Sequence, residues 1–191
     1  MRVFGIDPGS ERTGYGCVDT DGRVTRLVTC GAVSALPKDA FPQRLARIHR
    51  ELSALLSHCA PDSVAIENVF HAVNVRSALK LGHARGVAML AAVEAGCPVA
   101  EYSPTEIKRC VVGYGRADKQ QVQQMVKLLL GLDHVPSPHD AADALAVAIC
   151  HVHSVPVNAD DDSELAVDGA PASPRRSQLK TWRQYRPPTA G

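Results

Sequence analysis

Three short apolar runs precede any helical period, and that order limits the folds open to this chain more than any other feature. The first, residues 2–7 (RVFGID), ends in Asp-Pro-Gly, a turn-forming sequence. The next two, residues 15–19 and 23–33, flank Asp21-Gly22, a dipeptide that favours a tight hairpin. The opening third therefore reads as a three-stranded antiparallel meander. The period then changes. Across residues 41–58, Leu45, Ile48, Leu52, Leu55 and Leu56 recur at helical spacing, with Arg44, Arg47, Arg50 and Glu51 on the other face. Residues 63–67 (SVAIE) form the next strand, and a helical crossover before it predicts parallel addition to the sheet. Residues 75–95 read as a long helix, apolar over much of its circumference, and residues 98–102 as a fifth strand. Helices follow at 105–110, 119–130 and 138–153. The order β-β-β-α-β-α-β-α predicts an α/β fold, a mixed five-stranded sheet flanked by helices.

Size and charge narrow the functions. At 191 residues the chain suits one domain with a modest appendage, which leaves no room for a two-lobed kinase or ATPase. With 21 Lys+Arg against 20 Asp+Glu the net charge is +1, so contact with nucleic acid must rest on where the charges sit. Hydrophobic residues make up 45% and aromatics only 4%, so the core is built mostly from Ala, Val and Leu. From Val155 onward five of the 13 prolines gather beside an acidic cluster (Asp160, Asp161, Asp162, Glu164) and a basic stretch (Arg175, Arg176, Lys180, Arg183, Arg186). The expected division is a folded domain over residues 1–153 and a mostly disordered Pro-rich tail over 154–191. Cys17, Cys30, Cys59, Cys97, Cys110 and Cys150 form no C-x-x-C pair and match reduced, buried thiols of a cytoplasmic protein. The N-terminus meets an acid and Pro-Gly too early for a signal peptide, and the most apolar stretch, 87–100, is too short for a membrane span.

Acids stand where a core would not want them. Asp7 ends the first strand and Glu67 the fourth, each after an apolar run. Asp140 and Asp143 lie three apart in HDAADALAVAICH, which puts both on one helix face. Carboxylates gathered at one sheet end repel one another unless cations neutralise them, and hard oxygen ligands suit Mg²⁺ or Mn²⁺. Two such ions activate a water and stabilise the leaving oxygen of a phosphodiester. Each acid also has a local reading. Asp7 before Pro-Gly is a turn former, Glu67 a strand-end charge in water, and Ser137-Pro138-His139-Asp140 a capped helix start. Spacing alone leaves both readings standing.

The ordered blocks GIDPG, TGYG, IENVF, SALKLGHARG, YSPTEIKRCVVGYGRADKQQVQQMV and HDAADALAVAICH, from Met1 to about His153, closely resemble the RuvC family of bacterial Holliday-junction resolvases. The resemblance implies a ribonuclease H-like fold and a homodimeric endonuclease. Such an enzyme nicks two opposing strands of a four-way junction and leaves 5′-phosphate and 3′-hydroxyl ends. It makes Asp7, Glu67, Asp140 and Asp143 the metal-binding catalytic acids, with two Mg²⁺ ions per site and Mn²⁺ as a substitute. Lys108 and Lys119 resemble family lysines that hold the scissile strand, and Phe70 the aromatic that stacks on an unpaired base. Asn74, Arg76, Lys80 and Arg116 are further expected DNA contacts, within a stretch (76–127) that carries eight Lys/Arg against four Asp/Glu. Some relatives use His at the first helix position. That makes His139, beside Asp140, an extra candidate, although one residue's shift turns it about 100° around the helix, which argues against it as a ligand. The RuvA–RuvB branch-migration complex is the implied partner. A C2 dimer matches the near two-fold symmetry of a junction, and the small residues of 75–95 leave that helix able to serve both core and partner. Competing readings are an actin-like phosphotransferase, for which this length leaves no room and which absence of ATP binding would close, a catalytically silent junction-binding module, and a ribonuclease H-like nuclease with another substrate.

Overall fold

The computed structural model describes residues 1–34, 39–68 and 74–155. Its elements are β1 (Arg2–Asp7), β2 (Arg12–Thr20), β3 (Thr25–Ser34), α1 (Phe41–Cys59), β4 (Ser63–Glu67), α2 (Val75–Glu94), β5 (Val99–Tyr102), α3 (Pro104–Val112), α4 (Lys119–Leu129) and α5 (His139–Ser154). The strands form one sheet in the order β3-β2-β1-β4-β5. The meander β1-β2-β3 is antiparallel, while β4 and β5 join in parallel beside β1, as the helical crossovers require. At the β2–β3 hairpin Gly22 takes φ 85°, and the Asp21 carboxylate accepts from the backbone N–H of Arg23 and Val24 at 2.9 and 2.8 Å.

Strand alternation sorts the core into two layers. Phe4, Ile6, Cys17, Val33, Val64 and Ile66 face α1 and α2, where they meet Ile48, Leu52 and Leu56 and the alanines of α2. Val3, Val18 and Ala65 face the other way, towards α3, α4 and α5. On this second face the helix backbone comes unusually close. A Cβ at Gly5 would stand 2.1 Å from the Ala144 carbonyl oxygen, one at Gly14 2.0 Å from the Asp140 carbonyl, and one at Gly16 2.6 Å from Leu145 Cγ. Gly5 and Gly16 are paired across β1 and β2, and Gly14 is paired with Asp7. Together they form a strip without side chains on which α5 lies, its own buried face made largely of alanine. Any side chain at these positions would lift the helix off the sheet.

A polar link closes the far end of this layer. His151, buried on α5, hydrogen-bonds through Nε2 to Ser63 Oγ at 3.0 Å and through Nδ1 to Tyr102 hydroxyl at 2.8 Å. Burial lowers its pKa, so the ring is held neutral and can serve one neighbour as donor and the other as acceptor. α2 departs from a wholly buried helix. It buries Ala84, Ala88, Ala91 and Ala92, while Val75, Leu79, Leu90 and Val93 stay exposed. All six cysteines are free thiols, and no described helix is long and apolar enough to cross a membrane.

Candidate active site

Asp7 and Glu67 end adjacent parallel strands whose last paired residues are Ile6 and Ile66. Both follow, by two residues, positions that face α5 (Gly5 and Ala65), so both carboxyls project to that side. There the pair forms a side-chain hydrogen bond. Burial, then the charge of Glu67, then those of Asp143 and Asp140 push the Asp7 carboxyl well above the usual range. Burial also raises Glu67, while the hydrogen bond from Asp7 and the positive charges of Lys119 and Lys108 act against that rise. Like charges crowded out of water in this way resist ionising together.

α5 brings the other two acids. Its close seating on Gly5, Gly14 and Gly16 sets Asp140 in the first turn and Asp143 one turn further on the same face. Each has a cation from outside the helix. Lys119 Nζ lies 2.5 Å from Asp143, and that contact raises the lysine's own pKa. Arg12 Nη1 lies 3.4 Å from Asp140. The helix start differs from a Ser-capped one: the Ser137-Pro138 peptide is cis, Pro138 is the N-cap residue, and no side chain caps the helix. Asp140 thus sits at an open helix N-terminus, where the dipole favours a negative group.

Asp7, Glu67, Asp143, Lys108 and Lys119 line one cleft of about 340 Å³, walled by Pro104, Ile107, Val122 and Ala146. The two lysines are placed by helix starts with complete capping boxes, Ser103 with Glu106 for α3 and Asp118 with Gln121 for α4. Lys119 is the first residue of α4, and Lys108 stands one turn into α3. Asp140 stands at the rim. It does not line the cleft, although its charge reaches Asp7 and Lys119. His139 is exposed and lies outside the cleft lining.

The expected DNA contacts are more scattered. Asn74 is the N-cap of α2, its side chain accepting from Ser77 N–H at 2.9 Å. Arg76 and Lys80 are exposed on the first turns of that helix, Lys80 with its Nζ 6.0 Å from the Phe41 ring centre. Arg116 is exposed between α3 and α4. Phe70 lies outside the described residues, as do His71 and Val73. Sequence reasoning missed Arg12, whose only signal was its place directly after the turn that follows Asp7. It also missed the tie beneath Glu67: Asn68 N–H donates to the Tyr102 carbonyl at 2.7 Å, and Glu101 accepts from Arg85 at 2.5 Å and from the Asn68 side chain at 3.4 Å.

The crowding predicts a stability signature. A carboxyl whose folded pKa is raised stabilises the fold below its unfolded value, and that stability is lost as pH rises through the folded value. In EDTA at neutral pH, Asp7→Asn should therefore melt higher than the parent by roughly 2–4 °C, the shift expected of about 1 kcal/mol in a domain of this size. The gain should vanish as pH falls towards the unreacted carboxylate value of 3.8. A variant no more stable than the parent at neutral pH would contradict the repulsion described.

The family model for crossover junction endodeoxyribonuclease RuvC matches residues 3–151. The crossover junction endodeoxyribonuclease RuvC of Koribacter versatilis is 55% identical over 155 residues, which are 81% of this chain and 93% of that one. The Trichlorobacter lovleyi protein of the same name is 48% identical over 187 residues, 98% and 100% of the two chains. Among solved structures, Thermus thermophilus RuvC superimposes with a TM-score of 0.74 at 38% identity over 80% of this chain and 94% of that one. The same protein in complex with a Holliday junction substrate gives 0.74 at 36% identity and equal coverage. The yeast mitochondrial resolvase Ydc2, 15% identical with a TM-score of 0.54 over 79% of this chain and 78% of that one, shares the fold. A mixed sheet in this strand order, an acid cluster at its end and these matches over the whole folded region lead to one conclusion: the chain belongs to the RuvC family of crossover junction endodeoxyribonucleases.

Proposed function

We propose that the carboxylate cleft is where this RuvC-family endonuclease, which resolves Holliday junctions in DNA recombination and repair, cuts each strand. Asp7, Glu67, Asp140 and Asp143 are its metal-binding acids, and Lys108 and Lys119 hold the scissile phosphate. The observation that carries the reading is the convergence of Asp7, Glu67 and Asp143 on one cleft with two lysines. Acids crowded together in this way form a site prepared for a cation.

Family members are metal-dependent nucleases, and the residues present fit a hard divalent ion. Every acidic donor is a carboxylate oxygen, the donor type that Mg²⁺ and Mn²⁺ prefer. Among the described residues no three His, Cys, Asp or Glu groups stand together as a ready-made metal site. The cleft that Asp7, Glu67 and Asp143 line leaves room for an ion that keeps water ligands. Asp7, Glu67, Asp140 and Asp143 would hold the two Mg²⁺ ions, which Mn²⁺ could replace. When bound, they supply an activated water and charge stabilisation at the leaving oxygen. Lys108 and Lys119 offset the charge that builds on the phosphate. Ile107, Val122 and Ala146 make the wall of the cleft apolar, which strengthens those interactions. Cleavage then leaves a 5′-phosphate and a 3′-hydroxyl, ends that a ligase can join. Phe70, Asn74, Arg76, Lys80 and Arg116 are the further DNA contacts of this reading.

Paired cuts call for two sites related by two-fold symmetry, and α2 offers a face for a second copy. Leu79, Leu90 and Val93 are 59%, 51% and 65% exposed on it. At Gly82 and Gly86 a Cβ would meet nothing within 4 Å, so nothing inside the protomer requires glycine there. Glycines along an exposed apolar helix face let a partner helix approach closely. The nuclease domain is residues 1–153, with an appendage over 154–191. The enzyme acts in the cytoplasm on four-way junctions presented by a RuvA–RuvB complex, the partner that family membership implies.

Two experiments test this reading. On a synthetic mobile junction with Mg²⁺, Asp7→Asn should lose at least about 100-fold in cleavage, as expected when charge stabilisation at the reacting phosphate fails. Junction binding should stay in the parent range, and a variant that still cuts normally would refute the assignment. Gly86→Arg, which has room to fold as a protomer, should sediment as a monomer and lose the paired cuts. A dimer of undiminished strength would place the interface elsewhere.

A further inference from the structure

We propose that Arg12 is a phosphate-binding residue of the cleavage site, held in reserve by Asp140 and released onto the DNA strand when that carboxylate takes a divalent cation. The inference rests on the reading of Asp140 as a cation ligand.

The backbone fixes Arg12 in place. It is the first residue of β2, directly after the turn that leaves Asp7. Thr13 pins that turn: its hydroxyl donates to the Gly9 carbonyl at 2.9 Å and accepts from the Gly9 N–H at 3.4 Å. Strand alternation puts Arg12 on the same face as Gly14, whose missing Cβ would stand 2.0 Å from the Asp140 carbonyl. Arg12 is thus set beside the start of α5 by the same close packing that seats the helix. Its neighbour Glu11, in the turn before the strand, is exposed.

The contact itself is loose. One guanidinium nitrogen lies 3.4 Å from one carboxylate oxygen, and the arginine side chain is 56% exposed. An exposed single-point pair is weak, and a divalent ion competes well for such a carboxylate. The guanidinium is also the better phosphate ligand of the two side-chain cations, because its planar fork binds two oxygens at once. The α5 acids are covered from two directions, Asp140 by Arg12 on β2 and Asp143 by Lys119 on α4. A strand laid across the acid cluster therefore meets a cation on each flank. Exchange of partners conserves charge. A divalent ion neutralises Asp140, and Arg12 moves to the phosphate whose charge would otherwise oppose the cluster.

Binding to a four-way junction in EDTA, where no cleavage occurs, is measured against KCl concentration for the parent, Arg12→Gln, Asp140→Asn and the double variant. Asp140→Asn frees Arg12, so its plot of log K against log salt should steepen by about 0.9, one additional phosphate contact. The double variant should return to the parent slope, and Arg12→Gln alone should keep it. An Asp140→Asn slope equal to the parent's, or a double variant that stays steep, would overturn the phosphate contact. Calorimetric titration of the DNA-free protein with Mn²⁺ tests the competition. Arg12→Gln should bind several-fold more tightly than the parent, and equal affinity would overturn the release. A parent that binds no Mn²⁺ would overturn the cation reading of the carboxylates and the release with it, while the slopes would still report whether Arg12 touches phosphate.

Discussion

Everything at the active end of this molecule depends on one steric fact, that α5 rests with its backbone directly on the sheet. Gly5, Gly14 and Gly16 leave no Cβ in the way, and the alanines of α5 complete the contact. A helix standing one side chain further off would carry Asp140 and Asp143 away from Asp7 and Glu67. Close packing converts two strand ends and one helix turn into a single cluster. The same seating aligns His151 with Ser63 and Tyr102 at the other end of the helix, so α5 is fixed at both of its ends.

The cluster so formed stores unfavourable charge, and the protein relieves it in three ways. Burial and the Glu67 charge push the Asp7 carboxyl up towards its neutral form, Lys119 pairs with Asp143, and Arg12 pairs with Asp140. Each of these is replaceable. On the proposed reading, divalent cations displace the lysine and the arginine from these acids and free both for phosphate. Such an arrangement would let a chain with a net charge of only +1 face DNA at its cutting site.

Much of this was legible in the sequence, for identifiable reasons. RVFGID and SVAIE declare themselves as strands because they are short apolar runs ended by an acid, and the Asp21-Gly22 turn fixes the meander between them. The helical repeat of 41–58 and the three-residue spacing of Asp140 and Asp143 are equally direct, and the family resemblance joined these pieces into one site. What stayed hidden depends on tertiary approach. Glycines in TGYG look like strand weaknesses until α5 is laid on them. Arg12 belongs to no period, and its meaning comes only from the carboxylate beside it. α2 reads as apolar on several sides, but composition does not say which side is left bare. Asn74 shows the converse, since a residue expected to touch DNA also caps its helix. The expected stacking residue Phe70 lies outside the described part of the chain.

The central claim is that the four acids form one divalent-cation site, and anomalous diffraction from crystals soaked in Mn²⁺ tests it most directly. The account predicts anomalous density between Asp7 and Glu67 and on towards the α5 aspartates, with Lys119 and Arg12 moved off their carboxylates. Density confined to other acidic groups, with the Asp7–Glu67 hydrogen bond and both ion pairs intact, would contradict it.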